Sequence, residues 1–160
     1  MKEAKTNAMR ILEQKRIPYR ALEYPHGDGP VDGATVAELT GSDPDTVFKT
    51  LVTVGASRQH YVFVIPVRRE LDLKKAAAAV GEKSVAMVHV SEITPLTGYV
   101  RGGCSPVGMK KLFPTVFDAL AERIDTIQVS GGRIGTQIAL APDELITLVR
   151  GTTAYITIEE

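Results

Sequence analysis

The stretch VFKTLVTVGASRQHYVFVIPV, residues 47–67, decides how the chain folds. Its two apolar runs, residues 47–54 and 61–67, are rich in Val, Ile, Phe and Tyr and are joined by the polar GASRQ. Branched and aromatic side chains suit a pleated, half-buried surface, and a short polar turn between two such runs predicts a β-hairpin. Lys49 interrupts the first run. Strand alternation puts it on the face of Val47 and Leu51, which lean apolar. Lysine is rarely buried without a partner. Lys49 therefore either snorkels to solvent at the strand end or points into a polar cavity.

Outward from the hairpin, LDLKKAAAAVG predicts a helix: Asp72 caps it, alanines have the best intrinsic propensity, and Gly81 suits a left-handed C-terminal position. On the N-terminal side, Ala4, Ala8, Ile11 and Leu12 recur at helical spacing and predict a helix over residues 3–16. An edge strand over 19–23 is expected next, then a Gly/Pro/Asp-rich surface loop, HGDGPVDGA, and a short helix over 35–39 stopped by Gly41. Towards the C-terminus, strands are expected over 85–90, 115–117, 126–129, 137–140 and 154–158, with a broken helical turn in SEITPLTG and a last helix opened by Pro142. Helices and strands interleave irregularly among hairpins. The pattern fits an α+β domain rather than a doubly wound parallel sheet.

At 160 residues the chain fits one domain with a core that needs no staples. The net charge is zero, with 19 basic and 19 acidic residues, so any nucleic-acid contact must come from a local patch. The single cysteine cannot form an internal disulfide, which fits a reducing cytoplasm. The opening MKEAKTNAMRILEQKR has no apolar core of a secretory signal. No apolar run approaches the ~20 residues of a membrane span. His26, His60 and His89 are scattered, and no metal-ligand spacing occurs.

Two glycine-rich stretches remain. RGGCSPVGMKK (101–111) carries Arg101, Ser105, Lys110 and Lys111; VSGGRIG (129–135) follows a strand and carries Ser130 and Arg133. Neither is a P-loop or a dinucleotide fingerprint. Glycines let a backbone approach a ligand closely and turn N–H groups towards an anion or an ester oxygen. Either stretch alone reads as an ordinary turn. Together, with cations at both, they favour a phosphate or nucleic-acid site. Cys104 invites a thiol-nucleophile reading, which needs a positioned base, and no histidine is near it in sequence. It reads as a small apolar residue instead.

At VFKTL, TGYVRGGCSPVGMKK and VSGGRIG the sequence resembles the YbaK/EbsC family of free-standing aminoacyl-tRNA deacylases, related to the editing domain inserted in bacterial prolyl-tRNA synthetases. The likeness is nearest to the Cys-tRNA(Pro) deacylase branch. The resemblance implies a single YbaK-like domain over residues 1–160, with a mixed, barrel-like β-sheet surrounded by helices. It also implies a site. Lys49 falls on the family's essential lysine, and Gly102 and Pro106 on its GxxxP motif. Ser130, Gly131 and Gly132 fall on the second loop, and Tyr24 on a tyrosine near the pocket. The implied activity is hydrolysis of misacylated Cys-tRNA(Pro) in trans. The substrate's own thiol attacks its ester, so neither cofactor nor metal is called for. The glycine amides would contact the ester, and Arg101, Lys110, Lys111 and Arg133 would meet the tRNA. Prolyl-tRNA synthetase is an implied partner, and the cytoplasm the implied compartment. At position 104 the family usually carries an apolar residue, which again sets Cys104 apart from a nucleophile. Two alternatives stand beside this reading: an Ala-tRNA(Pro) deacylase using water, and a non-catalytic nucleotide- or tRNA-binding module.

Overall fold

A computed structural model describes residues 4–159. The hairpin forms as expected. Strand β2 (Phe48–Gly55) and strand β3 (His60–Pro66) pair antiparallel, with Thr50 opposite Val64 and Thr53 opposite Tyr61. β3 is the middle of a five-stranded mixed sheet. Its run is continuously apolar because both faces are covered. Val62 and Val64 enter one core cluster with Phe48, Phe117, Ile127, Val129 and Ile138, while Tyr61, Phe63 and Ile65 enter another with Ala76, Ala77 and Ile156.

Helix α1 (Asn7–Gln14) buries Ala8, Met9 and Leu12 against the first cluster. It starts later than expected because the Thr6 side chain accepts from the Met9 N–H and so fixes the N-terminus. Glu3, where the expected helix begins, lies outside the described residues. β1 (Tyr19–Glu23) is the expected edge strand. Helix α2 (Gly33–Leu39) is capped by Asp32, and Gly41 follows with φ +68°. Helix α3 (Leu73–Val80) has Asp72 at its cap, accepting from Lys74 and Lys75 N–H, and Gly81 left-handed at its end.

Strand β4 (Val85–Met87) is shorter than expected, because His89 caps a 3₁₀ turn over Val90–Glu92 that leads into helix α4 (Ile93–Thr97). Strand β5 (Thr115–Asp118) runs parallel to β3. Strand β6 (Ile127–Arg133) pairs antiparallel with β7 (Thr136–Leu140), which also pairs with β1. The VSGGR segment thus lies inside β6, with an irregularity in register between Ser130 and Arg133, rather than in a loop beyond the strand. Helix α5 (Pro142–Leu148) follows. The last strand is displaced from the expected 154–158: β8 (Thr152–Ala154) pairs with β5, and the Asp118 carboxylate then takes the Ile156 N–H and turns the chain away.

The mixed sheets of the expected α+β domain form and do not close into a barrel. The strands form a three-stranded sheet, β1-β7-β6, and a five-stranded sheet, β4-β2-β3-β5-β8. An isolated parallel bridge, Val47 to Gln128, links them. Beyond it β2 and β6 part. β4 covers the free edge of β2 only from Thr53 onwards, and β6 is an edge strand. The gap between them is the cleft described next.

The 101–104 loop meets the β6–β7 turn backbone to backbone. A Cβ on Gly103 would lie 2.8 Å from Arg133 Cα and 2.9 Å from Ile134 N. Gly103→Val should therefore destabilise the fold by about 1–3 kcal/mol, the usual cost of overpacking. Chemical denaturation checks this; an unchanged midpoint would show that the two loops can separate freely.

Candidate functional site

The cleft has a volume of about 380 Å³. It wraps the free edge of β2, so residues from both strand faces reach it. Directly opposed residues share a face. Lys49 lies opposite Ile65 and Leu51 opposite Phe63, on the side of the α3 cluster, as alternation required. Thr50 lies opposite Val64, on the other side, facing β6. Both Lys49 and Thr50 line the cleft. Lys49 is half-buried, and among the described residues no hydrogen bond or ion pair holds its ammonium. Thr50 Oγ1 is buried without a hydrogen-bond partner. An orphaned hydroxyl of this kind costs about 1–3 kcal/mol unless water or a ligand satisfies it.

Four more of the expected residues join them. Tyr24 is buried, anchored by its N–H to the Gly135 carbonyl at 3.0 Å, and its ring meets His26 edge-on. Arg101, Gly102 and Ser130 line the cleft as well. Gly102 has φ +86°, and a Cβ there would lie 2.6 Å from Pro30 Cβ, so the glycine is what lets the HGDGPVDGA loop close over one side. Pro30, Asp32 and Gly33 of that loop form part of the wall.

The remaining expected residues sit elsewhere. Gly131 is buried, with its would-be Cβ against Thr136 and Ile138, and it does not line the cleft. The Gly132 N–H donates to Ser130 Oγ at 3.2 Å and is thereby engaged within the chain. Pro106 is buried and lines a separate apolar cavity with Lys111, whose ammonium lies 5.9 Å from the Phe113 ring centre. The Arg133 guanidinium binds the Ala4 carbonyl and, at 3.1 Å, the Thr136 hydroxyl. Lys110 is exposed. Of the four expected RNA-contacting cations, Arg101 is the one that lines the cleft.

Sequence reasoning did not single out Thr50, Gln137 or the Pro30–Gly33 wall. Thr50 carried a signal, being the hydroxyl next to the anomalous lysine in an apolar strand. Gln137 carried one too, as an amide inside the apolar run TQIAL.

Cys104 lines the cleft, and burial pushes its thiol from 9.0 up to about 11. At neutral pH it is protonated, the opposite of an activated nucleophile. No histidine lines the cleft with it. Among the described residues no cluster of His, Cys, Asp and Glu fits a metal ion, and no helix is long and apolar enough to cross a membrane.

The chain matches the aminoacyl-tRNA editing domain family over residues 31–148, which covers Lys49, the 101–111 stretch and VSGGRIG, and it belongs to that family. The resemblance read from the motifs is thereby borne out. A protein of Enterococcus faecalis that carries the name Cys-tRNA(Pro)/Cys-tRNA(Cys) deacylase EbsC is 46% identical over 158 residues, spanning 99% of this chain and 96% of that one. Among solved structures, one described as a trans-editing enzyme for prolyl-tRNA synthetase superposes with a TM-score of 0.80 at 24% identity, covering 98% of this chain and 100% of that one. A scaffold protein used for epitope grafting superposes with a TM-score of 0.83 at 24% identity, with the same coverage. At these identities the superpositions show the shared fold.

The Cys104 environment gives a pH prediction. A thiol whose folded pKa lies above its unfolded value contributes stability that is fully present below about 9 and is lost as pH rises through about 11. Iodoacetamide at pH 8 should therefore label Cys104 much more slowly in the folded protein than in urea, and the melting temperature should fall between pH 9 and 11. Equal labelling rates in the two states would show an ionised, accessible thiol.

Proposed function

We propose that the protein is an aminoacyl-tRNA deacylase that removes cysteine from misacylated Cys-tRNA(Pro) in trans, acting on the substrate's 3′ end in the cytoplasm. The observation that carries this reading is the convergence of Lys49, Tyr24, Gly102 and Ser130 in one cleft, on a chain nearly half identical to the named deacylase. The cysteine of the cleft, Cys104, is held protonated by burial and is not activated for nucleophilic attack. For a cysteinyl ester no protein nucleophile is needed. The substrate Sγ attacks its own carbonyl carbon, the C–O bond to the ribose breaks, and the thiol proton passes to the leaving ribose oxygen. A strained cyclic thioester results, which water opens.

In this scheme the protein orients rather than attacks. Lys49 anchors the terminal nucleotide and favours the reactive geometry. Ser130 and the Gly102 amide hydrogen-bond the substrate, and Tyr24 closes the pocket. Arg101 meets the RNA at the cleft mouth, with Lys110 and Lys111 on exposed surface. With zero net charge and few phosphate contacts, binding of tRNA alone is weak and salt-sensitive. Prolyl-tRNA synthetase is a partner that supplies the remaining tRNA contacts.

Three measurements test the reading. Wild type should release cysteine from tRNA(Pro) faster than alanine; faster release of alanine would favour the water-dependent branch. Lys49→Ala should lower the cysteine rate by about 10²-fold or more, the scale of removing one key polar group from such a site, while the thermal midpoint stays close to wild type. Cys104→Ala should deacylate at close to the wild-type rate, and a comparable collapse there would put the protein thiol back into the mechanism. No release of any amino acid above background would leave the binding-module reading.

A further inference from the structure

Behind the cleft, a buried chain of polar side chains connects the end of α2 to Gln137. Gln137 and Gln128 are 6% and 3% exposed, and both carry their amides on neighbouring strands, β7 and β6. Thr40 Oγ1 lies 2.9 Å from the Val36 carbonyl, 3.3 Å from the Ala37 carbonyl and 2.9 Å from Ser42 Oγ. Gln128 Nε2, 3.1 Å away, donates to Thr40 Oγ1. The opposite end, Gln128 Oε1, accepts from the Ser42 hydroxyl at 2.7 Å. The second Gln128 N–H reaches Gln137 Oε1 at 3.4 Å. With its oxygen drawn back to Gln128, Gln137 is left to present its NH₂ group to the cleft it lines, beside its cross-strand partner Ser130. Among the described residues nothing in the chain hydrogen-bonds that NH₂.

The Gly132 amide, expected to contact the ester, is engaged with Ser130 instead. We propose that Gln137 is a catalytic hydrogen-bond donor whose NH₂ binds the carbonyl oxygen of the aminoacyl ester and the negative charge that develops on it. Gln128, Thr40 and Ser42 are positioning residues that hold the donor end inward. The inference rests on the deacylase reading and adds to it the group that meets the oxyanion.

The test is steady-state deacylation of Cys-tRNA(Pro), background-subtracted, from pH 5 to pH 8, with melting temperatures for each variant. In Gln137→Glu the carboxylate still accepts from Gln128 but offers the cleft no donor. Its kcat should fall about 10²-fold at neutral pH, the loss typical of one oxyanion donor, with KM changed little. Activity relative to wild type should return as pH falls and the protonated Glu donates again. Gln137→Met should lose the same activity without that return. Gln128→Met should lower kcat by about tenfold with little change in KM. A kcat within about threefold of wild type in both Gln137 variants overturns the proposal. So does an equal, pH-independent loss in the two accompanied by a large drop in melting temperature, which is the signature of a purely structural amide. The Gln137 side-chain NH₂ resonances give a readout apart from turnover: they should shift when 3′-cysteinylamido-3′-deoxyadenosine, a stable amide analogue, is added to wild type. Inactive wild type with a clear shift would sink the deacylase reading and keep the contact, whereas no shift sinks the contact itself.

Discussion

The bridge between Val47 and Gln128 is the constraint on which the rest depends. It brings β2 and β6 together side by side and in parallel, and they then diverge, because β2 continues into its hairpin with β3 while β6 stays with β7. Two strands that meet once and part leave facing edges, and edges carry backbone and side-chain groups with nothing to pair against. Lys49 and Thr50 lie two and three residues beyond the bridge on one strand, and Ser130 two residues beyond it on the other. The same bridge sets Gln128 where its amide ties the end of α2, through Thr40 and Ser42, to Gln137. Closing the sheets into a barrel would pair these edges and remove the cleft.

Around that gap the glycines act chiefly by letting backbones touch. Gly103 rests on the Arg133–Ile134 backbone and Gly102 on Pro30, so the 101–104 loop is clamped between the β6–β7 turn on one side and the 27–33 loop on the other. Polar chemistry in the cleft comes mostly from side chains on strands: Lys49, Thr50, Ser130 and Gln137. Strand positions hold a group more rigidly than loop positions do, which suits a site whose task is orientation. The division of labour differs from the one suggested by two glycine-rich stretches alone, in which amides of both were to hold the ester.

What the sequence revealed divides along the line between local and long-range causes. The hairpin, α3 with Asp72 and Gly81, and the Pro142 helix were legible because each is specified by residues within a few positions of one another. The extent of β6 was not, since Ser130-Gly131-Gly132 has the composition of a turn and becomes strand only by pairing with β7. The C-terminal strand was misplaced for a similar reason: Asp118, 38 residues earlier, decides where it stops. At the site, Lys49 announced itself as a charge in an apolar run. Pro106 belongs to the same motif as Gly102 yet faces another cavity, and Arg133 is taken up by Ala4 and Thr136. Neighbourhood in sequence marked the right loop without telling which of its members look inward.

The cleft also bears on how a small amino acid is chosen. A pocket that admits cysteine admits alanine, because a missing sulfur leaves space rather than a clash, and differences of this size in a pocket are worth only about 1–3 kcal/mol. Size therefore cannot make the cleft selective for cysteine over alanine. A mechanism in which the substrate provides the nucleophile can. The one thiol of the protein is held protonated by burial, so it does not supply a reaction to whichever ester binds. On the deacylase reading, an alanyl ester bound in the same place meets Lys49, Ser130 and the Gln137 amide but brings no nucleophile, and it leaves unchanged. The absence of an activated protein nucleophile then works as the selectivity filter, since it limits the chemistry to substrates that carry their own.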